Sequence, residues 1–221
     1  DAWTPARATL IASGDVDAAA MQAEASRAFG DWTGASGAAI VTPAPGPRPA
    51  RDVLAVHRPG AAQADVRVGH LGPSRRTRDY HALVTLNALL GGQFTSRINR
   101  NLRERRAITY GARTAFDMRR AGGVFSCDTS VQADATVVAV TEILREFRDV
   151  AAANAIHADE LEQARASLTR GYVRHFETAP HLARALVELV TYDLPDDTFD
   201  RFVPAVCGLS KADLTRAAQA T

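Results

Sequence analysis

A change of hydrophobic period at residue 109 constrains this chain more than any other feature. Residues 90–110 read LGGQFTSRINRNLRERRAITY. Gly91 and Gly92 are expected to close a helix, because glycine tolerates the left-handed backbone of a C-cap. Thr95 or Ser96 is expected to cap the next one by accepting from its free amide groups. Phe94, Ile98 and Leu102 fall four residues apart and predict one apolar stripe, with Arg97, Arg100, Arg103 and Arg106 displayed off it. From Thr109 the pattern becomes β-like, so Tyr110 opens a strand directly after an arginine-bearing helix. Function is expected at that helix-to-strand corner.

The segments on either side of the corner set the fold class. Asp52 to His57 and Ala64 to Leu71 read as strands, and Arg78 to Leu90 as an amphipathic helix. Thr109 to Met118 and Val124 to Gln132 predict a hairpin about Ala121-Gly122-Gly123. A long helix follows from Asp134 to near Ala153, and another opens at His157-Ala158-Asp159-Glu160-Leu161 with acidic residues suited to the helix dipole. Pro180, Pro195 and Pro204 punctuate the remaining helices. This order predicts an α+β domain, an antiparallel or mixed sheet covered by helices on one face.

Three parts are expected. Arg7 to Ser13 reads as a strand, and Ala18 to Phe29 as a helix capped by Asp15 or Asp17. One strand and one helix cannot bury each other, so residues 1–34 read as the tail of a first domain whose body is missing. Residues 35–50 continue a Gly- and Pro-rich tract that starts at Gly30, with Trp32 anchoring its start, and read as a linker. Residues 51–221 form the second domain.

Several function classes are excluded. The formal net charge is +1 across 221 residues, so no overall field favours nucleic acid. The arginines from Arg97 to Arg106 lack interleaved aromatics and are interrupted by Glu104. No apolar run approaches the roughly 18 residues of a membrane span. Cys127 and Cys207 are the only cysteines and form no Cys-x-x-Cys pair. Cys127 shares strand parity with Phe125 and Val131, which predicts a buried, inert thiol. His57 and His70 read as packing or exposed residues. His175, Glu177 and His181 do not share one helical face, so they read as surface rather than metal ligands. Asp117 with Asp128 is too thin a pair for acid–base work.

The corner resembles the pitrilysin/insulinase family of zinc peptidases, which includes the mitochondrial processing peptidases. Those proteins carry a glycine pair, an aromatic, Ser-Arg, Leu-Arg-Glu and a tyrosine seven residues after that arginine. Here the elements are Gly91-Gly92, Phe94, Ser96-Arg97, Leu102-Arg103-Glu104 and Tyr110. Gly14-Asp15-Val16, Phe29-Gly30-Asp31-Trp32, Gln63 and Asp159-Glu160-Leu161 extend the resemblance over most of the chain. The family's zinc motif, H-x-x-E-H, needs two imidazoles one helical turn apart. None of the six histidines has that spacing.

The resemblance therefore implies the second, metal-free domain of such a peptidase. It implies a partner half or missing domain that holds zinc, a peptide substrate, and no cofactor on this chain. Arg103 is implied to hold substrate carbonyls, and Tyr110 to contact the substrate and stabilise the oxyanion. The competing implication is an inert structural subunit, like the core proteins of respiratory complexes. A homodimer stays open, as do bacterial periplasm and cytoplasm.

Overall fold

The computed structural model describes residues 4–34, 51–153 and 155–221. The chain divides into two compact units, residues 1–43 with 171–198, and residues 44–170 with 199–221. The tract expected to act as a linker, residues 35–50, lies outside the described residues.

In the first unit, α1 (Ala18–Phe29) begins as its sequence requires, with the Asp17 carboxylate accepting from the Ala20 amide at 2.7 Å. The ring of Trp32 lies 6.4 Å from that of Phe29. The expected strand at Arg7–Ser13 does not form; a single 3₁₀ turn covers Pro5–Arg7, and no strand follows it. An extended segment becomes a strand only when a neighbour completes its ladder, and no ladder is formed here. The other helix of this unit, α6 by its place in the chain (Ala179–Tyr192), is capped by Thr178, carries Pro180 in its first turn, and ends at Asp193 in the left-handed region, φ 52°. Pro180 thus starts a helix rather than interrupting one.

The second unit is α+β. Its sheet has the order β1-β3-β2, all antiparallel, with β1 (Gln63–Gly72), β2 (Thr109–Met118) and β3 (Gly123–Gln132). One face is covered by α2 (Tyr80–Asn87) and α4 (Thr136–Val150), while α5 (Ala158–Arg170), α7 (Phe202–Gly208) and α8 (Lys211–Ala220) pack on α2. The buried face of the sheet supplies Val66, Ala112, Met118, Phe125, Cys127 and Val131; Leu83, Leu86, Ile143, Leu161 and Leu214 close over them. Phe125 stacks 4.5 Å from Phe116 and 5.1 Å from Phe147. The opposite face is polar: Asp128 takes Arg67 and the Ser126 hydroxyl, and Asp117 takes Arg119 at 2.6 Å. That alternation is the period-two signature of a sheet wetted on one side.

The segment Asp52–His57, expected as a strand, forms none, and Val53, Leu54 and Val56 are exposed. The Cys127 thiol is fully buried, and burial, with Asp128 beside it, pushes its pKa up to about 12. Such a thiol is inert as a nucleophile. Cys207 is also free.

The glycine pair does something other than cap a helix. Neither Gly91 nor Gly92 has a positive φ; both continue α2 as a π-helical turn, Ala88–Gly92. A Cβ on Gly91 would lie 2.5 Å from the Thr114 Cγ2, so the turn packs its backbone directly on β2. Gly91→Ala should therefore destabilise the unit by about 1–3 kcal/mol, the usual range for overpacking. Thr114→Ala, added to it, should restore a large share by emptying the contact. Urea midpoints of the two variants check this, and equal midpoints would disprove the close approach.

His81 on α2 makes stability depend on pH. Its ring lies 5.3 Å from Tyr80 and 5.6 Å from Phe202, with Nε2 buried and unpartnered among the described residues. Burial first, and then the nearby Arg75, lower its pKa. The unfolded chain takes up a proton near pH 6.5 and the folded chain does not, so stability falls as pH drops below that value. Denaturation at pH 7.5 and 5.5 should show this loss, and His81→Phe should remove most of it.

Candidate functional site

The corner is built from irregular turns. After the π-helical turn, Ser96 occupies the N-cap position of α3 (Arg97–Asn99), which runs into a second π-helical turn, Arg100–Arg105. Ala107 then adopts the left-handed region, φ 52°, and turns the chain into β2. π-Helical turns are rare and concentrate where a side chain must be re-aimed. The expected sorting of residues fails here in three places.

Phe94 does not join the stripe. Ile98 and Leu102 are buried, but Phe94 precedes the helix and its ring is 70% exposed. The arginines are not simply displayed. Arg97 donates to both Glu160 oxygens, at 2.8 and 2.5 Å, and to the Ala155 carbonyl. Arg106 pairs with Glu142 at 2.6 Å and with Asn101 Oδ1 at 3.0 Å. Arg100 donates to the Thr95 carbonyl. Burial raises the pKa of Glu160, but the Arg97 guanidinium and the His157 amide outweigh it and hold the carboxyl below its usual range. These pairs bind the corner to α4 and α5.

Arg103 lies under Phe94. Its guanidinium carbon is 3.2 Å from the ring centroid, and its side chain is 16% exposed. Nη2 donates to Glu104 at 2.8 Å, while Nη1 is buried with no partner among the described residues. A guanidinium stacked on an aromatic ring is fixed in plane and keeps its edge donors directional.

Tyr110 points away from the core. By alternation it would share the buried side of β2 with Ala112 and Thr114. A β-bulge between Thr109 and Ala112 breaks the register, and the Tyr110 side chain is 91% exposed. The bulge is held by side chains other than its own. The Thr109 hydroxyl donates to the Ser130 carbonyl at 2.7 Å and accepts from the Gly111 amide at 3.1 Å. The Thr129 hydroxyl donates to the Gly111 carbonyl at 2.9 Å.

Asn99 went unnoticed in the sequence and is the central fixture. Its buried carboxamide donates to the carbonyls of Gln93 and Ala112, each at 2.9 Å, and to Ser96 Oγ at 3.1 Å. It also accepts from the Ala112 amide at 2.8 Å. One side chain thus joins the residue before Phe94 to the end of the Tyr110 bulge. Only its place one turn after Ser96 on a helix beside a strand could have drawn attention to it.

No group of three or more His, Cys, Asp or Glu among the described residues could hold a metal ion. His175 and His181 bond separate backbone carbonyls, those of Tyr172 and Arg174. A polar cleft of about 340 Å³ lies among Asn101, Arg105, Arg106, Glu142, Arg145 and Glu146, but neither Arg103 nor Tyr110 lines it. Its carboxylate Glu142 is already matched by Arg106 and Arg145, so nothing in the cleft singles out a ligand.

A family model described as the peptidase M16 inactive domain matches residues 1–168. No curated protein matches the chain. Among solved structures, a peptidase M16 inactive domain from Pseudomonas fluorescens is similar at 23% identity and TM-score 0.66, over 72% of this chain and 38% of that one. A protease from Helicobacter pylori is similar at 18% identity and TM-score 0.77, over 94% of this chain and 51% of that one. The periplasmic protease PqqL from Escherichia coli gives 16% identity and TM-score 0.71, over 93% of this chain and 23% of that one. At these identities the likeness establishes the fold, and this chain spans about half or less of each of these three structures.

Proposed function

The chain belongs to the peptidase M16 inactive-domain family, and from that premise we propose that it is the metal-free, substrate-binding half of a zinc metallopeptidase. Arg103 holds carbonyls of the bound peptide, and Tyr110 donates a hydrogen bond to the oxyanion that forms at the scissile carbonyl. The domain reading is proposed with it, residues 51–221 as the metal-free domain and residues 1–34 as the end of a preceding one, although residues 171–198 group with 1–43 rather than with the rest of 51–221. The zinc is assigned to a separate half because none of the six histidines has the H-x-x-E-H spacing. Zinc there supplies the Lewis acidity of the hydrolysis.

The observation that carries this reading is the bulge at Tyr110. A strand whose alternation would bury a tyrosine instead turns it 91% exposed. The bulge is held by hydrogen bonds from Thr109, Thr129 and Asn99. Bulges of this kind re-aim a side chain next to a site. Arg103 adds a guanidinium held in a fixed plane against the Phe94 ring. A rigid fork suits peptide carbonyls, and a preorganised hydroxyl suits an oxyanion.

The test combines purified chain with its zinc-bearing half and follows peptide hydrolysis, with complex formation measured separately. Arg103→Ala should raise KM about tenfold or more, since a charge-assisted hydrogen bond to substrate is lost already in the ground state. Arg103→Lys should recover only part, because an ammonium does not reproduce the fork. If the zinc-bearing half is equally active with and without this chain, the chain is a structural subunit and the reading is wrong.

A further inference from the structure

Phe94 is the member of the expected apolar stripe that stays out of the core. A single exposed phenylalanine is ordinary; the support beneath this one is not. One face of its ring rests on the Arg103 guanidinium, 3.2 Å from the centroid. The backbone on both sides is pinned. The Gln93 carbonyl accepts from Asn99 Nδ2 at 2.9 Å and from the Ser96 amide at 3.2 Å. The Thr95 carbonyl accepts from Arg100 Nε at 2.9 Å, and the Thr95 hydroxyl from Gln163 at 2.8 Å. The residue is 70% exposed yet its ring is fixed in place, and a fixed aromatic loses little entropy when a partner settles on it.

We infer that Phe94 is a specificity-determining residue: its open face receives a large apolar or aromatic side chain of the same peptide whose carbonyl Arg103 holds. The inference rests on the peptide-binding reading of Arg103 and Tyr110. Its geometry follows from the stack. A side chain packed on the free face lies about two van der Waals layers from the guanidinium, on the order of 7 Å. An extended peptide advances about 3.3 Å per residue. The selected side chain therefore sits within two residues of the carbonyl bound by Arg103. The opposite face of the ring is occupied by a cation, which leaves apolar contact as the selecting force on the free one.

The experiment uses the chain assembled with its zinc-bearing half. Cleavage of unfolded β-casein first identifies a sensitive bond with a phenylalanine or leucine nearby. Two fluorogenic peptides are then made on that sequence, differing only in phenylalanine or alanine at that position. The wild type should prefer the phenylalanine peptide about three- to tenfold in kcat/KM, the range of one aromatic contact. Phe94→Ala should bring that ratio to within about twofold, and Phe94→Trp should keep it. Because the ring is exposed, neither variant should change the melting temperature appreciably. Arg103→Ala should lower kcat/KM for both peptides, because the carbonyl it holds is common to them. An unchanged ratio in Phe94→Ala, with Arg103→Ala and Tyr110→Phe still impaired, overturns the role of Phe94 and leaves the peptide-binding reading intact. Wild-type rates from all three variants overturn both.

Discussion

Tyr110→Phe is expected to lower kcat of the assembled peptidase about 10²-fold, with KM and assembly nearly unchanged. The substitution removes one hydroxyl and keeps the ring. That ring is 91% exposed, so no core contact is lost. The bulge beneath it is held by Thr109, Thr129 and Asn99 rather than by the tyrosine itself. Stability should therefore stay within about 0.5 kcal/mol of the wild type, as for surface substitutions generally. The split between kcat and KM follows from when the bond forms. The scissile oxygen carries little charge in the bound substrate and a full one in the tetrahedral intermediate, so the donor acts mainly in the transition state. Steady-state kinetics on complexes of verified composition decide the matter. An unchanged kcat would remove Tyr110 from the site, and a higher KM at constant kcat would make it a ground-state contact.

Arg97→Ala should be the most damaging single change to stability, costing about 3–5 kcal/mol. Arg97 and Glu160 side chains are 11% and 8% exposed and are joined by two hydrogen bonds. Arg97 also reaches the Ala155 carbonyl, and Glu160 accepts from the His157 amide at 3.1 Å. Removing the cation strands a carboxylate in the protein, where burial acts against its charge. Glu160→Gln, added to Arg97→Ala, should recover part of the loss while keeping an acceptor for His157. The pH dependence has a definite sign. In the wild type the Glu160 pKa is lowered, so its contribution is present above about pH 4.5 and is lost as pH falls through the folded value. Without Arg97 that lowering goes and burial remains, so the gap between wild type and variant should narrow as pH drops from 7 towards 4. Urea titrations at several pH values measure both effects. A loss below about 1 kcal/mol would mean that the pair behaves as a solvated surface contact.

Much of the fold was legible in the residues because its signals are local. The Asp17 cap, the hairpin, the long helix after Asp134 and the buried parity of Cys127 all follow from patterns a few residues wide. The glycine pair was noticed for the wrong reason: Gly91 matters because Thr114, 23 positions later, leaves no room for a Cβ. Arg97 read as a displayed charge because its partner, Glu160, is 63 residues away. Asn99 carried no pattern, since its work is to bond Gln93 on one side and Ala112 on the other.

The sequence by itself determined the strands at 64–71, 109–118 and 124–132, the helices that open after Asp134 and His157, the shared face of Phe125, Cys127 and Val131, and that no histidine pair has the spacing of H-x-x-E-H. These depend on side-chain period and on the reach of one helical turn. Tertiary structure alone decided that Arg7–Ser13 and Asp52–His57 form no strand, that Phe94 lies over Arg103, and that a bulge turns Tyr110 outward. Each of those depends on what stands opposite in space. A ladder needs a neighbouring strand, a cation needs a ring within reach, and a register shift needs acceptors on another strand. None of these is encoded at a fixed distance along the chain.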